Sequence, residues 1–237
     1  MPRTHRGSDR IGALGGVAFA ALLFLSVFAA EPVRRATDQQ LLAGWANSGL
    51  RRDLIVSMVL MLLAGPCFLV FLAPLRDRLR AADPGSPWTD LVHGAGVVFV
   101  ATLAVTAASR GLIAQAVRFG GEPLPGPDTL RYATQFSDAA FGLAAIPFAT
   151  LVVAAASLLS LRTGALARWV GWVGLGVTTL SLVSIALLIG PLATPLVALW
   201  VLAASAQLFR ARETRVVPVE ASPAPAHDRP QGALTQR

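Results

Sequence analysis

Six stretches of about twenty consecutive apolar residues dominate this chain. They run from Ile11 to Ala30, Leu54 to Ala73, Leu91 to Ser109, Ala139 to Leu161, Trp169 to Gly190 and Leu192 to Phe209. A helix of roughly 20 residues crosses the hydrocarbon core of a bilayer, which is about 30 Å thick. Lipid offers nothing to hydrogen-bond an exposed backbone, so only helices or a closed barrel can span it. Barrel strands would alternate apolar and polar residues over segments of about ten, and these runs do not alternate. The pattern therefore predicts an all-α, polytopic transmembrane bundle of six helices.

Composition agrees. The apolar share is 54% and the charged share 14%, against roughly 25% charged in an ordinary soluble domain. Mean hydropathy is +0.61. A soluble fold could not cover so much apolar surface with so few charges. All the basic residues are arginine, and Ala, Gly and Pro are abundant, as in products of GC-rich genomes. The net charge of +7 does not point to nucleic acid, because the arginines flank the apolar runs. Cys67 is the only cysteine, which excludes an intrachain disulfide and a multi-cysteine metal site.

Arginine asymmetry sets the expected orientation. With residues 1–10 in the cytoplasm, thirteen of the twenty arginines fall inside and seven outside. Both termini are then cytoplasmic, in the inner membrane, and Trp88, Trp169 and Trp172 mark the inner interface, where indoles prefer to sit. Arg3, Arg6 and Arg10 before the first run, with Val27 and Ala29 as small residues near its end, have the form of a signal peptide. The apolar stretch is long for one, so the first run is read as a retained helix. The transmembrane domain covers residues 11–210. Residues 211–237 are polar and Pro-rich, and are read as a disordered cytoplasmic tail.

The outer loops, Glu31 to Asp53 and Arg110 to Asp138, are long, and the third is only a Gly190-Pro191 turn. Glu31-Pro32 and Glu122-Pro123 form a faint echo between the first two. In the first loop, Leu41, Leu42 and Trp45 have helical spacing behind Asp38 as an N-cap. This predicts a short amphipathic helix on the outer membrane surface, acting as an anchor or as a lid over a cleft.

Ionisable groups inside spans are the default functional candidates, and the centres of these helices hold none. Three sets near helix ends remain. Arg110 closes the third helix and Asp138 opens the fourth; with Asp53, Arg118, Arg131 and Tyr132 they are either an outer polar pocket or interfacial charges that fix helix depth. Asp90 and His93, three apart at the inner start of the third helix, share a face and are either a proton or metal site, two ligands being too few for a metal alone, or a helix-dipole partner beside an interfacial histidine. Arg162, Arg168, Trp169 and Trp172 are either an anchor for anionic headgroups or a docking point for a partner. Small faces at Gly12 and Gly16, at Gly171, Gly174 and Gly176, and along Ala140, Ala144, Ala145 and Ala149 allow close helix approach, more within the chain than between copies. Pro66 and Pro147 lie inside spans and should kink them.

Several activities lack their parts. A di-haem cytochrome needs four axial histidines, a zinc protease needs an H-E-x-x-H cluster, and nucleotide hydrolysis needs a Gly-rich phosphate loop. None is present, and no metal or cofactor is expected.

The segment Leu161-Arg162-Thr163-Gly164-Ala165-Leu166-Ala167-Arg168-Trp169-Val170-Gly171-Trp172-Val173-Gly174-Leu175 is similar to the LRTGxLPRWLGWLGL segment of a large group of six-helix actinobacterial membrane proteins. The likeness extends in pattern over about residues 10 to 210. It includes the Arg-rich Leu75-Arg76-Asp77-Arg78-Leu79-Arg80 loop and the Asp138-Ala139-Ala140-Phe141 opening. Ala167 departs from it, where the group often has Pro. The resemblance implies the six-helix architecture and carries no activity to transfer. The function expected is a non-enzymatic accessory, structural or sensory bundle. The alternatives are a transporter or permease for a small or lipid-like solute, and a lipid-modifying enzyme. The partners expected are the lipid bilayer and either another membrane protein or a small hydrophobic ligand.

Overall fold

The computed structural model describes residues 5–29, 37–187 and 193–210. The tail, the Gly190-Pro191 turn and the Glu31-Pro32 half of the loop echo lie outside these. Among the described residues there are eight α-helices and no strand: α1 (His5–Phe28), α2 (Asp38–Ala46), α3 (Ser48–Ala82), α4 (Pro87–Phe119), α5 (Pro127–Ala139), α6 (Ile146–Thr163), α7 (Arg168–Ala186) and α8 (Ala193–Arg210). A π-helical segment, Ala140–Ala145, joins α5 to α6. Six helical stretches are long and apolar enough to cross a membrane, with α5, the π segment and α6 forming one of them. The chain is an integral membrane protein by this architecture.

Local chemistry sets the helix boundaries. Asn47 ends α2 and begins α3, its side-chain oxygen accepting from the Gly49 N–H at 2.8 Å. Gly85, at φ +91°, makes the reversal before Pro87 opens α4, where its fixed φ suits the first helical turn. Gly164, at φ +73°, is the left-handed C-cap of α6, a conformation that costs glycine least. Pro66 and Pro74 both sit inside α3, which runs unbroken through them. Pro147 lies in the first turn of α6, just past the π segment, so the irregular hydrogen bonding falls beside the proline.

The six spans close into a ring. Each packs against the next, α1 on α3, α3 on α4, α4 on α6, α6 on α7 and α7 on α8, and α8 returns to α1. α1 begins and α8 ends at one end of the ring, here the terminal face; α2 and α5 lie at the opposite, far face. Close approach depends on small residues. A Cβ on Gly12 would strike Pro74, and one on Gly96 would strike Leu72. The small faces of α1 and of Gly171 and Gly174 thus pack within the chain, while Gly176 meets open space.

Two cores result. The larger runs through the spans and contains a cluster of rings. The Phe19 and Phe68 centroids are 4.9 Å apart, as are those of Phe68 and Phe99, and Phe71 adjoins. The smaller lies at the far face, where Leu41 and Trp45 of α2 pack with Leu54, Ala114 and Leu130. The expected amphipathic helix therefore exists, but its apolar face is laid on the protein and not on lipid. Its N-cap is Thr37, not Asp38. The Thr37 side chain accepts from the Gln40 N–H while Gln40 Oε1 accepts from the Thr37 N–H, a reciprocal capping box.

Candidate functional site

At the far face a small cavity is lined by Trp45 of α2. Its walls include Ser109 and Arg110 from the far half of α4, and Thr134, Ser137 and Asp138 from α5, with Leu54 and Ile113 as apolar flanks. The volume is about 20 Å³, room for about one water. Thr134 Oγ1 donates to the Leu130 carbonyl at 2.9 Å and Ser109 Oγ to the Thr106 carbonyl at 2.8 Å. The hydroxyls thus face back to their own helices, and the cavity's charge is carried by one guanidinium and one carboxylate. Asp138 is placed two residues before the π segment, whose extra residue per turn re-aims side chains and recurs at functional sites.

Trp45 is held against this space from both ends of α2. At the start, Asp38 Oδ1 lies 2.6 Å from Arg131 of α5, which also reaches Asp128 at 3.8 Å. At the end, Arg51 NH1 donates to the Trp45 carbonyl at 2.6 Å and to the Ala46 carbonyl at 2.9 Å. A cation on the unpaired carbonyls of a helix C-terminus is favourable in charge and in hydrogen bonding.

The structure gathers only part of the six-residue outer set. Arg110 and Asp138 line one cavity. Arg131 serves the tether of α2. Asp53 turns to Arg52, at 3.4 Å on the exposed side. Arg118 lies over the Phe119 ring at 5.7 Å, and Tyr132 is 73% exposed. Spacing alone could not separate these, because half a turn of helix rotation moves a residue from cavity to surface.

At the terminal face, Asp90 Oδ1 lies 3.4 Å from Arg76 across the α3–α4 contact. His93 Nδ1 is buried with no hydrogen-bond partner among the described residues. Arg162, Arg168, Trp169 and Trp172 are all exposed, the last at 66%. Among the described residues, no three or more of His, Cys, Asp and Glu come together as metal ligands would.

Sequence reasoning missed Arg78, which it counted only as a basic loop residue. Arg78 NH2 lies 3.1 Å from Asp9 Oδ2 of α1 and donates to the Leu208 carbonyl of α8 at 3.2 Å; NH1 reaches the Gln207 carbonyl at 3.5 Å. One guanidinium on α3 thereby caps the C-terminus of the last span and pairs with the first. An Arg one turn before a helix end, opposite an acid in the N-terminal segment, was the only available signal. No family model, no curated protein and no solved structure matches the chain.

Proposed function

We propose that this protein is a non-enzymatic sensory or accessory bundle of the cytoplasmic membrane, with both termini inside and the far face outside. The observation that carries this reading is the separate far-face core. Trp45 lines a charged cavity on a helix tethered by Asp38–Arg131 and by Arg51, apart from the membrane core. Such a cap responds to what binds it, while the body beneath stays packed. The interlocked rings of Phe19, Phe68 and Phe99 support this reading over a conduit. On this orientation Arg162, Arg168, Trp169 and Trp172 anchor the inner interface, and the 161–175 segment is what supports kinship with the actinobacterial group it resembles.

The test is purification from native membranes at endogenous level in mild detergent, with mass spectrometry of co-purifying proteins and lipids. A protein partner in constant proportion, lost on Trp45→Ala, is the expected result. The second reading, a carrier for a small or lipid-like solute, draws on the charged cavity and on an apolar groove between α1 and α8. That groove, of about 390 Å³, is lined by Val17, Phe24, Pro195 and Leu202. It gains if no partner is found and one solute both stabilises the protein by mass action and accumulates in proteoliposomes.

A further inference from the structure

Among the described residues, several buried side-chain polar atoms have no hydrogen-bond partner. Arg76, Thr89 and His93 lie at the terminal end of α3 and α4. Ser205 of α8 faces Gly16 of α1, and Ser157, Ser181, Thr194 and Trp200 lie on α6, α7 and α8. The pair Ser157 and Trp200 is the best defined. Ser157 and Trp200 are both fully buried, at 0% exposure, and both converge on one point. A Cβ on Gly174 of α7 would collide with Ser157 Oγ of α6 and would meet Trp200 Nε1 of α8 at 2.5 Å. The hydroxyl and the indole nitrogen therefore sit side by side where three helices meet.

Neighbouring hydroxyls solve the same problem differently. Ser160 Oγ donates to the Ala156 carbonyl at 2.6 Å, and Thr150 Oγ1 to the Ile146 carbonyl at 2.9 Å. Each satisfies itself on its own helix. Ser157 does not, and the Trp200 indole N–H has no partner among the described residues. More than about 90% of buried polar groups in folded proteins have a partner, protein or water. An indole N–H can only donate, whereas a serine hydroxyl donates and accepts. The ionisable residues of α6, α7 and α8 are Arg162, Arg168 and Arg210, all at helix ends, so an ion there would be uncompensated.

We propose that Trp200 and Ser157, across Gly174, form a binding site for a single ordered water inside the α6–α7–α8 seam. The water accepts from Trp200 Nε1–H and donates to Ser157 Oγ, and through these two bonds it joins the last span to α6. Gly174 leaves the room that the pair requires.

The test uses the full-length protein in lipid nanodiscs with ¹⁵N-labelled tryptophan. The chain has five tryptophans, and Trp200→Phe assigns the signal of interest. A through-space cross-peak between the Trp200 indole proton and water is expected, and its loss in Ser157→Ala and in Gly174→Ala. Absence of that cross-peak in the unsubstituted protein overturns the proposal, whether the proton proves bonded directly to Ser157 or not bonded at all. A cross-peak that survives both substitutions overturns it too, because the water would then lie elsewhere. The first of these measurements is made on the unsubstituted protein, with Trp200→Phe serving only to assign its signal.

Discussion

The two halves of the ring fill the interior of a membrane protein in different ways. Between α1, α3 and α4 the space is filled by rings, and the buried hydroxyls of Ser26, Ser57 and Thr106 are bonded. Ser57 Oγ donates across to the Ser26 carbonyl at 2.7 Å, and Ser26 Oγ to the Leu23 carbonyl at 2.7 Å. Between α6, α7 and α8 the contact is made by Gly171 and Gly174, and Ser157, Ser181 and Trp200 keep polar atoms unbonded to the described protein. Lipid tails are as apolar as leucine, so neither half is held by the hydrophobic effect as a soluble core is. Both halves hold glycines that cannot gain atoms, Gly12 and Gly96 in the first and Gly171 and Gly174 in the second. The first half adds a core of rings that cannot lose them. Shape is therefore stringent in both, and the first is stringent in two ways.

Substitutions can break that contrast. Phe68→Ala removes the ring that bridges Phe19 and Phe99 and should cost about 3–5 kcal/mol, read as a large fall in unfolding temperature in detergent. Gly174→Leu drives a side chain into Ser157 and Trp200 and should cost about 1–3 kcal/mol or more by the same assay. An unchanged midpoint for either would end the distinction for that half. Arg78→Gln removes the pair with Asp9 and the cap on α8. It should cost about 1–3 kcal/mol, with faster hydrogen exchange confined to the ends of α1 and α8. Ser57→Ala leaves the Ser26 carbonyl without its interhelical donor and should cost about 1 kcal/mol. Gly176→Leu, two residues from Gly174 but facing open space, should stay within about 0.5 kcal/mol of the native protein. The last two sharpen the comparison, since they ask whether position on the helix or residue type decides the outcome.

The spans were legible because apolar runs of bilayer length have few other structures open to them. Their ends were less so. α3 and α4 extend well past their apolar stretches, through Arg51–Asp53 and Arg76–Arg80 and through Arg110–Arg118, because a helix leaving the membrane gains solvation without losing its backbone bonds. α5 was read as loop, although Pro127 at its first turn, Asp128 near its N-terminus and buried Leu130 and Ser137 two turns apart are helix signals. Its polar surface outweighed them. The π segment has no residue signature, since it is a slip in hydrogen bonding and not a preference of Ala or Phe. In the far-face set, Arg110 and Asp138 were foreseen together as ends of successive helices. The tether roles of Arg131 and Arg51 depend on α2 folding back, which no local pattern announces. Arg78 finds its partners 69 and 130 residues away.

That clasp has a consequence for how the protein is made. Helices enter the bilayer in order of synthesis, and α1 arrives first. Its neighbour α3 follows at once, but the other flank of α1 is taken by α8, made after the five other spans. Until then Arg78 has an acid from the beginning of the chain and no carbonyls from its end. The ring is an open crescent through five insertions, and its first member waits on its last. A nascent chain stalled before Leu208 would expose the α1 edge and the α7 edge together. Quality control in the membrane would have one clear mark to read: a bundle whose two ends have not yet met.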